Sequence, residues 1–405
     1  VNGEDVLAFA NTANITGSWN AATGVLTLTG ADTVSAYQAA LRSVTYRNTS
    51  DNLSTATRTI SFSINDGALS SNSVTRDITI AAVNDAPVLR QVPNFTDSGQ
   101  ALGAAGDQTY DSDLGDIDGD GDLDLVDGNQ NTPDRVYLND GSGTFTDSGQ
   151  ALGSANTRQV RLGDLDGDGD LDAIVANLAH PRFWDFSSKT EVLINQGDGT
   201  FADIQGAWDF PAGAAGLRYQ ETHSVPALAD FDQDGALDLV ISAVYDGRPT
   251  DFYWGNGDGT FRLDAWRSGI GVTNGWGHAT ADVDLDGDVD LAAQGAVYLN
   301  QRAHAGHWLQ VKVVGDVAAN RAALGATVTV EAGGRRFVRF VGGGTGQGCQ
   351  DSLYLHMGLG EAASVDRISV RFPGAAAPVV FAGPFDADQR LWLYESGNVQ
   401  RGFAP

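Results

Sequence analysis

Positive charge is what this sequence has least of: 24 arginines and lysines, only two of them lysines (Lys189 and Lys312), face 52 aspartates and glutamates, a formal charge of −28 over 405 residues. A protein that neutralises phosphates needs a cationic surface, so nucleic acid is excluded as a partner. Cysteine is almost missing. Cys349 alone excludes an internal disulfide framework and a thiolate zinc site. No apolar run approaches the roughly 18 residues of a membrane span, and the chain opens at Val1 with no signal-peptide pattern, which reads as a soluble fragment or processed product. Motifs of catalysis are also lacking: there is no His-Glu-x-x-His, Gly-x-Ser-x-Gly or Ser-x-x-Lys, and the Gly342 to Gly348 run is not followed by the Lys-Ser/Thr of a phosphate loop. A non-enzymatic protein is expected.

What is present is repetition. With 42% hydrophobic residues and 51 glycines, the chain has material for cores and for many tight turns. The segment FTDSGQALG occurs at Phe95 to Gly103 and again at Phe145 to Gly153. Around it runs a longer unit, in which an aspartate-rich loop precedes an apolar run, V-x-L-N, and Gly-Asp-Gly-Thr-Phe or a variant. Four loops are legible, DIDGDGDLD, DLDGDGDLD, DFDQDGALD and DVDLDGDVD, beginning at Asp116, Asp164, Asp230 and Asp282. Several short strands per unit of about 50 residues is the period of a β-propeller blade. The fourth copy stops at Val297 to Asn300 without its Gly-Asp-Gly-Thr-Phe strand, whereas Pro93 to Asp97 is such a strand with no copy before it. Four blades are expected, the N-terminal orphan strand completing the last so that no edge is left open.

In each loop aspartates stand at positions 1, 3, 5 and 9 and glycine at 6. A tight turn brings alternate carboxylates to one side, position 7 offers its backbone carbonyl, and Gly121, Gly169, Gly235 or Gly287 permits the bend. Calcium, which takes six to eight oxygens in flexible geometry, fits this pattern better than magnesium. The expected ligands are Asp116, Asp118, Asp120, Asp122 and Asp124; Asp164, Asp166, Asp168, Asp170 and Asp172; Asp230, Asp232, Asp234, Ala236 and Asp238; and Asp282, Asp284, Asp286, Asp288 and Asp290. The residue at position 7 in each set serves through its carbonyl alone. About four ions are implied, one per loop. An EF-hand is excluded, because three of the four position-12 residues (Val175, Ile241, Ala293) are apolar and the flanks are strand-like.

Residues 1–88 alternate with period two at Val25 to Thr29, Thr59 to Ile64 and Thr75 to Val83, with one helix expected where Val34, Tyr37 and Leu41 follow Asp32 or Thr33 as cap. Residues 304–405 alternate again, at Leu309 to Val313, Ala326 to Glu331, Arg336 to Val341, Ile368 to Phe372 and Leu391 to Tyr394. Three all-β domains follow: 1–88, a propeller over 89–303, and a small β domain over 304–405.

DLDGDGDLDAIVAN followed by VLINQGDGTF resembles the FG-GAP or VCBS repeats of integrin-α-type propellers. HWLQVKVVG, VTVEAGGRR, LHMGLG and ISVRFPG are similar to the ASPIC/UnbV domain found after such repeats in bacterial proteins and in cartilage acidic protein. LRSVTYRNTSDN, TISFSINDG and VNDAPVL resemble part of a bacterial cadherin-like repeat; if that family's linker role carries over, Asn84 and Asp85 are calcium ligands at the domain junction, the alternative being an ordinary Asn-Asp-Ala-Pro turn. Together the resemblances imply a calcium-stabilised extracellular protein of adhesion and recognition. The partner expected is a protein or a glycan bound on the propeller face. Trp184 and Trp208, in the long segment between the second and third loops, and His223 and His278, on strands entering a loop, are the candidate ligand-binding residues; packing is the competing role for each. Two other functions stay open: a secreted polysaccharide-active enzyme or its carbohydrate-binding part, and an architectural segment of a larger surface protein.

Overall fold

The structure, a computed structural model, describes residues 5–48, 56–80, 96–104, 106–153, 156–178, 189–206, 213–218, 222–245, 247–248, 250–264, 269–273, 275–302, 306–344 and 350–402. It is all-β, with one α-helix among the described residues, and divides into two compact units, Val1–Thr96 and Asp97–Pro405.

The first unit contains β1 (Asp5–Ala8), β2 (Thr16–Asn20), β3 (Val25–Thr29), α1 (Val34–Ser43), β4 (Thr45–Asn48), β5 (Arg58–Phe62) and β6 (Val74–Ile78). Antiparallel pairs form between β1 and β4, β2 and β3, and β5 and β6. Thr33 is the helix cap, its hydroxyl accepting from the Ala36 N–H, so the predicted helix starts where the sequence places it.

In the second unit four antiparallel sheets follow one another. The first comprises β7 (Thr109–Gly115), β8 (Asp124–Asn129), β9 (Arg135–Asn139) and β10 (Phe145–Asp147). The next is built from β11 (Thr157–Gly163), β12 (Asp172–Asn177), β13 (Glu191–Asn195) and β14 (Phe201–Asp203), and the third from β15 (His223–Ala229), β16 (Asp238–Ala243), β17 (Asp251–Gly255) and β18 (Phe261–Leu263). The fourth has β19 (His278–Ala281), β20 (Asp290–Ala293) and β21 (Ala296–Tyr298). In every sheet the acidic loop joins the first strand to the second. Where a fourth strand is present, it begins at the phenylalanine that follows the glycine turn.

Apolar residues of successive sheets form shared cores. Ile174 and Val192 of the second pack with Leu239 and Ile241 of the third, and Phe231 and Phe252 of the third with Leu291 of the fourth. First strands lie side by side, and the Asp111 and Asp113 carboxylates on β7 accept the β11 N–H groups of Val160 and Leu162 at 3.0 and 3.1 Å. The repeated FTDSGQALG segment explains itself here. Gln100 bridges Gly143 O and the Phe145 N–H of the first sheet, and Gln150 bridges Gly199 O and the Phe201 N–H of the second. Ring closure by Phe95 falls outside the described residues, and the fourth sheet has three strands among them; no closed sheet is found.

The C-terminal strands are β22 (His307–Val314), β23 (Thr327–Ala332), β24 (Arg335–Phe340), β25 (Tyr354–Gly360), β26 (Ser364–Arg371), β27 (Val379–Asp386), β28 (Gln389–Tyr394) and β29 (Val399–Arg401). They make two sheets, ordered β25-β22-β28-β29 and β24-β23-β26-β27, around one core that includes Leu309, Val330, Met357, Ile368 and Leu391. The predicted strands at Leu309, Ala326, Arg336, Ile368 and Leu391 are all present.

Candidate metal centres

Each acidic loop is held by its own carboxylates. The ninth-position aspartate, the first residue of the second strand, brackets the loop. Asp124 accepts the Ile117 and Asn139 N–H groups, both at 2.8 Å, and Asp172 those of Leu165 and Asn195 at 2.7 and 2.8 Å. Asp238 likewise takes Phe231 and Gly255 at 2.8 and 2.9 Å, and Asp290 takes Val283 and Asn300, both at 2.8 Å. The following sheet then grips each of the first three loops. Asn195 donates to Ile117 O at 2.7 Å and Asn300 to Phe231 O at 2.8 Å, while Gly259 N performs this task on Leu165 O at 3.1 Å, where the third sheet has Gly255 in place of the asparagine. Glycine at position 6 has φ of 98 to 103° in all four loops, a left-handed turn that a side chain would strain.

The result is four carboxylate clusters. Atoms of Asp116, Asp118 and Asp124 lie within 4.8 Å of one another, as do those of Asp164, Asp166 and Asp172, of Asp230, Asp232 and Asp234, and of Asp282, Asp284 and Asp290. Positions 1, 3 and 9 therefore converge in three loops, and 1, 3 and 5 in the third. All four fifth-position aspartates, Asp120, Asp168, Asp234 and Asp286, are exposed and turn back to accept the N–H of Asp122, Asp170, Ala236 and Asp288. Burial, reinforced by the neighbouring carboxylates, pushes Asp124 and Asp164 up to about 6 and Asp172 and Asp230 up to about 7. Burial and crowding thus favour the protonated form of these acids, and a divalent ion bound among them would favour the ionised form.

The C-terminal domain lies against the same loops. Arg371, Arg336 and Arg335 donate to the fifth-position carbonyls Asp120 O, Asp168 O and Asp234 O at 3.3, 3.3 and 2.7 Å, and His356 Nε2 sits 2.8 Å from Gly287 O. A Cβ on Gly121, Gly169, Gly235 or Gly287 would run into Arg371, Arg336, Phe337 or Trp308. Behind this contact is a cavity of about 400 Å³, lined by Asp113, Asp164, Asp230 and Asp282 and by Arg161, Arg339 and Arg390. Arg161 pairs with Asp351, which also accepts the Thr280 N–H at 2.8 Å. Gln233, at position 4 of the third loop, adopts φ 60° and donates to Gly287 O and Asp288 Oδ1 at 3.2 and 2.8 Å, tying two loops together.

His223 and His278, 1% and 2% exposed, lie inside the sheets rather than on an open face. His223 Nδ1 is 2.7 Å from the Thr190 hydroxyl and its Nε2 3.5 Å from Asp251; His278 Nε2 is 2.6 Å from the Ser242 hydroxyl, and burial lowers its pKa to about 4. Trp184, Trp208, Asn84, Asp85 and Cys349 lie outside the described residues. The arginines above the loops were not anticipated. Arg335 and Arg336 adjoin in the sequence and Arg371 stands apart, and none carries a spacing signal linking it to loops a hundred or more residues away.

Residues 116–175 and 230–293, spanning the loops in pairs, are similar to the family described as FG-GAP-like repeat, and residues 316–399 to the family ASPIC and UnbV. No curated protein matches the chain.

Proposed function

We propose that the chain is a calcium-binding, non-enzymatic recognition or adhesion protein of the extracellular space, with the four successive sheets as blades of an integrin-type propeller and residues 1–88 as a cadherin-like module. One observation carries the reading: four loops of one design each gather three carboxylates within 4.8 Å, and burial with crowding raises Asp124, Asp164, Asp172 and Asp230 among them. FG-GAP-like repeats, to which the loops are similar, are typical of extracellular proteins and often bind calcium. The donor set is all oxygen, which suits a hard cation. Among the described residues no helix is long and apolar enough to cross a membrane.

Asp116, Asp118 and Asp124 and their counterparts would hold the ions. Bound calcium would supply positive charge that offsets carboxylate repulsion, so the folded form is favoured by mass action. The ligand recognised is a protein or a glycan. Thermal melting with calcium and with chelator tests the metal: an upward shift of several degrees with calcium is expected, and coincident melting curves would refute it. Protein and glycan arrays probed with and without calcium test recognition, which fails if nothing binds in either condition.

A further inference from the structure

The four loops differ in how their first carboxylate is held. Asp116 and Asp164 take only N–H groups from their own loops, Gly121 at 3.1 Å and Gly167 at 2.8 Å. Asp230 adds one backbone N–H of the C-terminal domain, Gly358 at 2.9 Å, to those of Asp234 and Gly235, and Asp282 is held from outside by side chains. Its Oδ2 accepts the Gly287 N–H at 3.1 Å and also Gln310 Nε2 at 2.7 Å and Arg390 Nη2 at 2.6 Å. Arg390 Nε in turn donates to Gln310 Oε1 at 2.6 Å, so the three side chains close a small network between the loop and strands β22 and β28. The Asp282 side chain is 3% exposed, and its other oxygen, Oδ1, is shut off from solvent with no hydrogen-bond partner. That oxygen belongs to a residue whose neighbours Asp284 and Asp290 offer ligand atoms within 4.8 Å. A buried anionic oxygen without a donor is costly, and a cation in the loop would satisfy it.

We propose that Arg390 and Gln310 are positioning residues for a divalent cation in the fourth loop, so that this site is completed by the docked C-terminal domain while the first and second are completed by their own sheets. The guanidinium and the amide fix one carboxylate oxygen and thereby set where the other is presented. Outer-shell partners of this kind commonly change metal affinity 10- to 100-fold when removed. Arg390 also repels a cation, but its charge is matched by Asp282 at 2.6 Å. The inference rests on the calcium reading above.

Titration of the full chain with calcium, followed by calorimetry and by terbium luminescence, tests it. In the unaltered protein the sites are expected to fall into more than one affinity class, and Asp282→Asn identifies the equivalent that belongs to the fourth loop. Arg390→Gln is expected to weaken that equivalent about 10- to 100-fold while the others hold, and Arg390→Lys to recover part of the loss. Far-UV circular dichroism in chelator shows whether each variant folds; should Arg390→Gln not fold, Gln310→Ala is expected to weaken the same equivalent by a smaller factor. Unchanged affinity of the fourth equivalent, or tighter binding, would overturn the proposal and leave the calcium reading standing. No calcium or terbium binding by the unaltered chain would overturn both.

Discussion

Position 4 of the acidic loops shows how one residue's conformation is judged by its contacts. The first and second loops have Gly119 and Gly167 there, with φ of 78 and 81°. The third and fourth adopt the same turn with Gln233 and Leu285, at φ 60 and 68°. A left-handed residue other than glycine costs roughly 1–2 kcal/mol. Gln233 recovers that cost in its bonds to Gly287 and Asp288. Leu285 is 49% exposed and makes no such bond, so the strain there is uncompensated. Leu285→Gly is expected to stabilise the second unit by about 0.5–1 kcal/mol, the strain relieved less the entropy of added glycine freedom. Urea denaturation measures this; destabilisation would mean that the leucine packs more usefully than its exposure indicates.

At the scale of the element, the ninth-position aspartate is the hinge of each strand-loop-strand unit. Asp172 is fully buried and accepts the backbone N–H groups of Leu165 and Asn195. Asp172→Ala leaves both bare and is expected to cost about 3 kcal/mol or more, whereas Asp172→Asn keeps one acceptor and is expected to cost about half as much. Chemical denaturation in chelator separates this from lost metal binding, and equal losses for the two variants would contradict the bracket. The loops were legible in the sequence because all their determinants sit within nine residues, and the strands because period two survives on half-buried sheets. The grip between sheets was not: Asn195 reaches Ile117 across 78 residues, and in the third sheet a backbone N–H replaces the asparagine, so no letter marks it. Neither was the arginine contact from β24, β26 and β28, which depends on how two sets of sheets meet.

Across the whole second unit, buried acids dominate the response to pH. Asp111, Asp134 and Glu191 are pushed up to about 7 by burial, as are Asp172 and Asp230, with Asp124 and Asp164 at about 6. Between about pH 4 and 7 the folded state therefore holds protons that the unfolded chain has released, and stability falls as pH rises through that window. His278, lowered to about 4, works in the opposite direction as a single group. Carboxylates held low by hydrogen bonds, such as Asp198 beside Thr200, act only below about pH 4. In chelator the melting temperature is expected to be higher at pH 5 than at pH 7.5. Calcium should remove the part of this slope owed to the four loop aspartates, because metal ligands must be ionised. A melting temperature that rises with pH in chelator would contradict the assignment.

The C-terminal domain touches all four loops, through Arg371, Arg336, Arg335 and His356. Mechanically these contacts stand in parallel. A pull that separates the domain from the sheets divides its load among the loops at once, so the joint yields only when several contacts fail together, whereas a chain joined to one terminal sheet would peel one contact at a time. Under such a load the acidic loops, the candidate ion sites, would form the strain-bearing seam.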